Sequence, residues 1–240
     1  MHKSLIALTG LMLATAATPA FAQDEESAPV TISGSATVVS DYRFRGFTQS
    51  NEDFAVQAGL TATHESGFYV GTWGSSIGFG GGTEIDLFGG FATEVSPGVT
   101  LDIGATYYTY PNATGNTDVA EAYTAVSGEL GPVKAKLGLA YAPDGQDALG
   151  DDSAVYAWTD LSTGIPNTPL TAKAHLGYAK SDSFLGGPDG DALDYSVGVD
   201  ASYNALTFGV SYVNTDVKKS LGKEGLGADG RVVFSLGAAF

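Results

Sequence analysis

The stretch Val30–Phe44 reads VTISGSATVVSDYRF and alternates apolar or small residues with polar ones. Its even positions are Val30, Ile32, Gly34, Ala36, Val38, Ser40, Tyr42 and Phe44. A period of two is typical of a β-strand, because successive side chains point to opposite faces of a sheet. The same pattern recurs to the C-terminus, where one face of Arg231–Phe240 is entirely apolar. The chain therefore predicts an all-β fold.

Alternation and turn residues together predict twelve strands. They are Val30–Phe44, Phe54–His64, Phe68–Phe79, Thr83–Val95, Val99–Tyr110, Val119–Leu130, Val133–Ala142, Ala154–Ser162, Leu170–Lys180, Asp194–Tyr203, Leu206–Asp216 and Arg231–Phe240. Most have about the 9–11 residues that a tilted strand needs to cross a bilayer. No run outside the N-terminus is long and apolar enough for a transmembrane helix.

The connections between these strands alternate in length. The short ones are Glu65–Gly67, Ser96–Gly98, Gly131–Pro132, Gly164–Thr168 and Asn204–Ala205. The longer ones are Gly46–Asp53, Pro111–Asp118, Pro143–Ser153, Ser181–Leu193 and Val217–Gly230, and only the short Gly80–Gly82 breaks the pattern. Short turns at one end and long loops at the other are typical of outer-membrane barrels. We therefore predict a single antiparallel up-and-down transmembrane β-barrel of about twelve strands.

The distribution of charge predicts which face of each strand meets lipid. Rows without Lys, Arg, Asp or Glu include Ile85, Leu87, Phe91 and Val95; Val99, Leu101, Ile103 and Tyr107; Val133, Leu137, Leu139 and Tyr141; Leu170, Leu176 and Tyr178; Tyr195, Val197, Val199 and Tyr203; and Leu206, Phe208, Val210 and Tyr212. A Lys or Arg on the lipid face at mid-bilayer would cost ~2–4 kcal/mol. The charge-free rows are therefore expected to face outward and the opposite rows to line the lumen.

Six tyrosines are expected to form an aromatic girdle on the outward face near the loop end of the barrel. They are Tyr42, Tyr107, Tyr141, Tyr178, Tyr195 and Tyr212. Tyrosine favours this level of a membrane, because one end of the ring is apolar and the other is polar.

Two strands leave their facing open. In Phe68–Phe79, either Phe68 and Val70 or the set Tyr69, Trp73, Ile77 and Phe79 could face lipid. In Ala154–Ser162, Tyr156 and Trp158 compete with Val155, Ala157 and Leu161.

The N-terminus has the pattern of a cleaved secretory signal. Residues 1–22 contain Lys3, an apolar stretch and the small-residue site Ala20-Phe21-Ala22, so we expect a signal peptide there. Residues 23–29 are expected to be a flexible acidic segment, and residues 30–240 the barrel. The expected location is thus the outer membrane, after export by a Sec-type signal.

Composition excludes several classes of function. The formal net charge is −16, which argues against a nucleic-acid partner, because such proteins present basic surfaces. The chain has no cysteine, so disulfides and thiolate metal sites are excluded. An acidic balance also favours cations in any enclosed aqueous space.

Two segments resemble a known family. Ser40–Ser50, which reads SDYRFRGFTQS, and Glu65–Trp73, which reads ESGFYVGTW, are similar to hallmark segments of the TorF-type porins, proteobacterial proteins of about this size and of unknown function. The resemblance covers roughly the first third of the expected barrel. It implies an outer-membrane barrel with a porin role. The closing Phe240 resembles the terminal aromatic residue by which the barrel-assembly machinery recognises its clients.

The candidate lumen-lining residues are the charged side chains on the inward rows. They are Asp41, Arg43, Arg45, Glu84, Asp86, Asp102, Lys134, Lys136, Lys173 and Asp200. Asp41, Arg43 and Arg45 would share one strand face with about 6.5–7 Å between successive residues. They would form either a constriction that contacts solutes or an ion-paired network that supports the wall. The acidic residues would form either an electrostatic filter or internal salt bridges.

No catalytic, cofactor or metal site is expected. His64 and His175 lack a neighbouring ligand set, and a lipase-like reading of His64–Ser66 lacks an acid partner. The acidic residues of Pro143–Ser153 and Ser181–Leu193 do not have EF-hand spacing, so solvated loops, bridged by divalent ions to lipopolysaccharide, are the preferred interpretation.

The predicted function is a porin-like channel for passive diffusion of small hydrophilic solutes or ions, with a preference for cations. The alternative is a plugged, non-conducting outer-membrane barrel with a structural or surface-contact role. Expected partners are outer-membrane lipid and lipopolysaccharide, the barrel-assembly machinery through the C-terminal strand, and small solutes. Homo-oligomers are compatible with the outward apolar face, which suits lipid and a second barrel equally well.

Overall fold

The computed structural model describes residues 29–218, 220 and 222–240. Its strands are β1 Val30–Val39, β2 Arg43–Phe44, β3 Phe47–Thr48, β4 Ala55–His64, β5 Phe68–Ser76, β6 Thr83–Ser96, β7 Val99–Thr109, β8 Val119–Leu130, β9 Val133–Ala142, β10 Ala154–Gly164, β11 Leu170–Lys180, β12 Asp191–Tyr203, β13 Leu206–Thr215 and β14 Arg231–Ala239. Among the elements that lie wholly within these residues, single-turn 3-10 helices occur in loops at Gly80–Gly82 and Phe184–Gly186. No helix in this described part is long and apolar enough to cross a membrane.

Twelve of the described strands form a closed antiparallel barrel, and the other two form a separate hairpin. Each barrel strand pairs with the next one along the chain, and β1 closes the ring against β14 with Ser35 opposite Ala239 and Val39 opposite Ser235. The backbone of Phe240 extends this seam, because its N–H and C=O bond Gly34 at 2.9 and 2.7 Å. The predicted fold class is therefore confirmed.

The two faces of the wall differ as the alternation predicts. Outward side chains such as Leu87, Ile103, Leu137 and Val197 are 53, 53, 62 and 57% exposed, although all are strongly apolar. Inward side chains such as Asp102 are buried. A continuous exposed apolar band around a closed barrel is the surface of a barrel that spans a membrane.

The structure decides the two strands whose facing was open. Phe68 and Val70 of β5 are exposed outward, whereas Tyr69 and Ile77, the residue that follows β5, are buried on the inward side. In β10, Val155 and Leu161 face outward, and Tyr156 and Trp158 lie inside. In both strands the larger aromatic residues occupy the lumen side, where glycine and alanine on adjacent strands leave them room.

Several of these inward rings lie flat against glycines of the neighbouring strands. Tyr69, Gly90, Gly104 and Tyr123 occupy one row across β5 to β8. The two tyrosines extend toward each other over the two glycines, and their hydroxyl groups hydrogen-bond above β6 and β7. Trp158 likewise lies between Gly138 and Gly177 in its row. The rings therefore line the wall and leave the centre of the barrel to other residues.

The prediction of a strand over Val30–Phe44 is wrong in its second part. β1 ends at Val39, the chain bends at Ser40 and Asp41, and the next residues leave the wall as the hairpin of β2 and β3. Tyr42 is consequently buried in the lumen, with 4% exposure, and is not part of the outward girdle. The other five tyrosines of the predicted girdle lie on the outward face at the loop end.

The predicted signal peptide at residues 1–22 lies outside the described residues, as does the acidic segment 23–29 except for its last residue.

Candidate functional site

The most prominent feature of the lumen is the inner hairpin, which we define as Asp41–Ser50 and which enters the barrel from the loop end. Its tip is the two-residue turn Arg45-Gly46, with φ angles of 49° and 85°. Two successive positive φ angles are typical of the type I′ turn, whose twist matches that of paired strands, and a glycine favours it. At the base, Gln49 N–H donates to the carbonyl of Tyr42 at 2.7 Å.

Aromatic side chains anchor this hairpin to widely separated parts of the wall and loops. Tyr42 packs edge-on against Trp73 of β5, with ring centroids 5.5 Å apart. Phe44 packs in the same way against Tyr108 of β7, at 5.8 Å. Phe47 packs against the buried cluster of Ala192, Val217 and Ala228. The hairpin thus spans the lumen from its base at β1 and β4 to the far side of the barrel.

Ion pairs hold the hairpin as well. Arg43 Nε lies 2.5 Å from Asp41 Oδ2, within the hairpin itself. Arg45 Nη2 lies 2.7 and 2.8 Å from the two carboxylate oxygens of Glu121 on β8. The guanidinium carbon of Arg45 also sits 4.2 Å from the centre of the Tyr156 ring. Asp41, Arg43 and Arg45 therefore do not share one strand face, because the chain turns between them.

The loop between β13 and β14, next to β1 in the barrel, also contacts the hairpin. Arg43 Nη1 donates to the carbonyl oxygens of Gly227 and Asp229, at 2.5 and 3.2 Å, and Thr48 N–H donates to Gly227 at 2.9 Å. Glu52, just after the hairpin, forms an ion pair with Arg231 at the start of β14. These contacts hold the hairpin at the loop end of the lumen.

The predicted acidic residues of β6 lie beside this hairpin. Glu84 is 2% exposed and accepts a hydrogen bond of 2.8 Å from the Tyr42 hydroxyl. Asp86, two residues further on, is 7% exposed. Asp102 lies on β7 and accepts a hydrogen bond of 2.7 Å from Tyr69.

The remaining candidates lie on β9, β11 and β12, below the hairpin. Lys173 and Asp200 form a buried ion pair at 2.7 Å. Lys134 and Lys136 are on the inward row of β9, with Lys136 opposite Asp160 in register. His175 is held between Asp160 and Asp194, at 2.6 and 3.1 Å. This part of the wall thus carries charges of both signs.

Glu121, Glu52 and Tyr156 are site residues that the sequence reasoning missed. Glu121 lies on the inward row of β8, so alternation alone could have placed it in the lumen. Its partner Arg45 is 76 residues away in the chain, and no spacing rule links the two. Within the described residues, no group of three or more His, Asp or Glu is arranged to hold a metal ion.

Comparison with solved structures identifies barrels of the same fold. The NanC porin aligns at 11% identity and a TM-score of 0.58, over 88% of this chain and 99% of that chain. The KdgM porin aligns at 7% identity and a TM-score of 0.59, over 87% and 98%. The COG4313 outer membrane channel from Pseudomonas putida F1 aligns at 12% identity and a TM-score of 0.51, over 91% and 98%. At such identities the likeness shows the fold alone.

Comparison of sequences gives the family. No curated protein matches the chain. A family model described as "Bacterial protein of unknown function (Gcw_chp)" matches residues 23–240. The resemblance to TorF-type porins stays a prediction, because the description of the matching family contains no such name. The chain belongs to the Gcw_chp family of bacterial proteins of unknown function.

Proposed function

We propose that the protein is an outer-membrane porin-like channel through which small hydrophilic solutes or ions diffuse passively. The observation that carries this proposal is the contrast between an apolar outward band and a polar inward face in a closed twelve-stranded barrel. Eight strands leave only enough interior for side chains, whereas sixteen leave an aqueous channel. A twelve-stranded lumen is intermediate, so its inward side chains decide what passes.

One sector of the wall supports an aqueous path. The inward rows of β1, β4, β13 and β14 carry small residues, mostly with hydroxyl groups. They include Ser33, Ser35, Thr37, Gly59, Thr61, Thr63, Thr207, Gly209, Ser211, Ser235 and Gly237. Such side chains fill little volume and can hydrogen-bond water. The aromatic rings of β8 and β10 lie in another sector, whereas Trp73 of β5 packs beside Gly59 at the edge of this one.

We also propose a preference for cations. The formal net charge of −16 draws cations toward the mouth. Inside, Glu84 and Asp86 are buried beside the hairpin, and the nearby cation Arg45 is paired with Glu121. Acidic groups at a narrow point favour the passage of cations over anions.

A non-conducting barrel is the second candidate, and the inner hairpin favours it. Phe44 and Phe47 of the hairpin pack into buried clusters at the loop end, where they narrow the lumen. A barrel blocked in this way would serve a structural or surface-contact role.

Currents through planar bilayers test both candidates. Purified protein is measured under a KCl gradient, beside a variant in which Asp41–Ser50 is replaced by a short Gly–Ser turn. The channel proposal expects small, cation-selective steps for the native protein and larger steps for the variant. A native protein without steps and a variant with large steps would establish a plugged barrel. A reversal potential set by chloride would refute the cation preference alone.

Location and assembly belong to the same proposal. Lipid, with lipopolysaccharide in the outer leaflet, would cover the apolar band, and export would use the predicted signal peptide. Phe240 would present the terminal aromatic residue to the barrel-assembly machinery, and its ring is 64% exposed on the outward face of the seam. Fractionation of cells expressing the full chain tests this, with outer-membrane recovery expected and periplasmic recovery contradicting it.

A further inference from the structure

Two neighbouring carboxyl groups lie buried together on the inner face of β6. Glu84 and Asp86 are 2% and 7% exposed, and both point into the lumen. Two residues along a strand separate them by about 6.5–7 Å between Cα atoms. Glu84 accepts a hydrogen bond from Tyr42. Asp86 Oδ1 is buried and has no hydrogen-bond partner among the described residues.

Positive charge does not compensate this pair as it does several of the other buried carboxylates, although Asp102, also buried, is likewise outside the described ion pairs. Asp41 is paired with Arg43, Glu121 with Arg45, and Asp200 with Lys173. In the described part of the chain, no basic side chain is within ion-pair distance of Glu84 or Asp86. Because burial of unpaired charge is costly, two adjacent carboxyl groups require either bound protons or a bound cation.

The surroundings of the pair are rich in neutral oxygen. Burial, and then the charges of Glu84 and Asp86, raise the pKa of the Tyr42 and Tyr110 hydroxyls well above that of an ordinary tyrosine. Both phenols therefore stay neutral while they face the carboxylates. Ser75, opposite Glu84 in register, is also buried. Carboxylate and hydroxyl oxygens are the ligands that hard cations prefer.

We propose that Glu84 and Asp86 bind a monovalent cation, K⁺ or Na⁺, on the inner face of β6 beneath Tyr42. Calcium is a poorer match, since its sites use several carboxylates and the described part of the chain has no group of three or more His, Asp or Glu arranged around a metal ion. The inference deepens the proposed function, on which it rests for its role, because a permeating cation would meet this site beside the hairpin. Binding itself does not require conduction.

Thermal unfolding of the purified full-length protein in detergent tests the site. KCl is exchanged for N-methyl-D-glucamine chloride at constant ionic strength, so that only the size of the cation changes. A ligand that binds the folded state raises the unfolding midpoint, by about 3–5 °C when K⁺ is tenfold above its dissociation constant. Asp86→Asn should abolish the difference between the two salts. Asp53→Asn, an exposed carboxylate near the hairpin, should keep it.

Two results would overturn the proposal. One is an equal midpoint in both salts, which would mean that protons neutralise the pair. The other is a K⁺ effect that persists in Asp86→Asn. If that variant does not fold, anomalous diffraction from native crystals in RbCl decides, with a peak between the two carboxylates expected and its absence contradicting the site. A K⁺ effect without bilayer currents would refute the proposed channel and support the cation site. Bilayer currents without a K⁺ effect would support the channel and refute the cation site.

Discussion

Arg45 and Glu121 join the tip of the inner hairpin to the far wall of the barrel. Nη2 of the guanidinium lies 2.7 and 2.8 Å from the two oxygens of the carboxylate, and both side chains are at most 5% exposed. The guanidinium carbon of Arg45 also lies 4.8 and 4.2 Å from the ring centres of Phe44 and Tyr156. This contact fixes how far the hairpin reaches across the lumen.

Breaking this pair on one side should destabilise the protein strongly. Glu121→Ala leaves a buried guanidinium without its carboxylate, and Arg45→Ala leaves a buried carboxylate without its guanidinium. Each substitution should therefore lower the unfolding free energy by about 3–5 kcal/mol. The double variant should lose less than the sum of the two, because neither charge is then left alone. Urea unfolding in lipid vesicles measures all three, and additive losses would mean that the two residues do not interact. Lys218→Ala, which removes the exposed pair with Asp189, is the control and should have no measurable effect.

Gly138 is expected to tolerate no side chain while Trp158 is present. A Cβ atom at this position would meet ring atoms of Trp158. Gly138→Ala should therefore cost about 1–3 kcal/mol of unfolding free energy, as overpacked sites do. Trp158→Phe in the same chain should recover part of the loss, because the smaller ring leaves space. Gly164→Ala, where a Cβ would meet nothing, is the matched control, and equal losses at both positions would contradict the packing described.

The inner hairpin should stay in the lumen during conduction. Thr48 and Gly227 allow a direct test, because an ideal Cβ at Gly227 would lie 3.1 Å from Thr48 Cβ and the native chain has no cysteine. Disulfides need Cβ atoms about 3.5–4.5 Å apart, so a small shift lets the pair Thr48→Cys and Gly227→Cys close, and the φ of 57° at Gly227 adds backbone strain to that variant. Single-channel conductance should be equal before and after reduction. Conductance that appears only on reduction would show that the hairpin moves, and each single-cysteine variant controls for the reductant.

Acid should remove a stabilising contact at the start of β8. Asp118 accepts hydrogen bonds from the Tyr107 hydroxyl at 2.6 Å and from the Tyr110 N–H at 3.3 Å. These bonds lower the pKa of Asp118 below its ordinary value, and the bond from Tyr107 has the larger effect. A carboxyl whose pKa is lower in the folded state stabilises above its unfolded pKa, about 3.9, and loses that effect as pH falls through the folded value. Asp118→Asn should thus unfold at a lower urea concentration than the native protein at pH 7, and the gap should shrink at pH 3. A gap that is independent of pH would contradict this assignment.

Period-two alternation was sufficient to predict the barrel, because every strand of the wall has one face in lipid and one in the lumen. The same signal failed at Tyr42 and Phe44. Alternation continues through Ser40 and Asp41 without interruption, although the backbone bends there and enters the lumen. Alternating polarity predicts that a segment is extended. It does not predict which strands the segment pairs with. Gly46 was the available sequence signal for a turn, because glycine favours two-residue hairpin turns. In the structure, Arg45 and Gly46 both adopt positive φ.

The site was less predictable than the fold. Inward facing follows from local pattern. The structure has Glu84, Asp86, Asp102, Lys173 and Asp200 buried on inward rows, and their role as lumen-lining residues stays a prediction. Pairing depends on the barrel register and on the path of the hairpin. Arg45 with Glu121 and Glu52 with Arg231 are separated by 76 and 179 residues in the chain, so only the closed fold brings them together.

The rings that lie against glycines also restrict how this chain can change over time. Trp158 with Gly138, and Tyr123 with Gly104, each occupy one shared space, so neither partner can be replaced freely while the other remains. Replacement of the glycine by a larger residue therefore requires an earlier or simultaneous replacement of the aromatic residue by a smaller one. Related sequences should therefore exchange these residues as coupled pairs across adjacent strands, while the lipid-facing positions exchange one apolar residue for another independently.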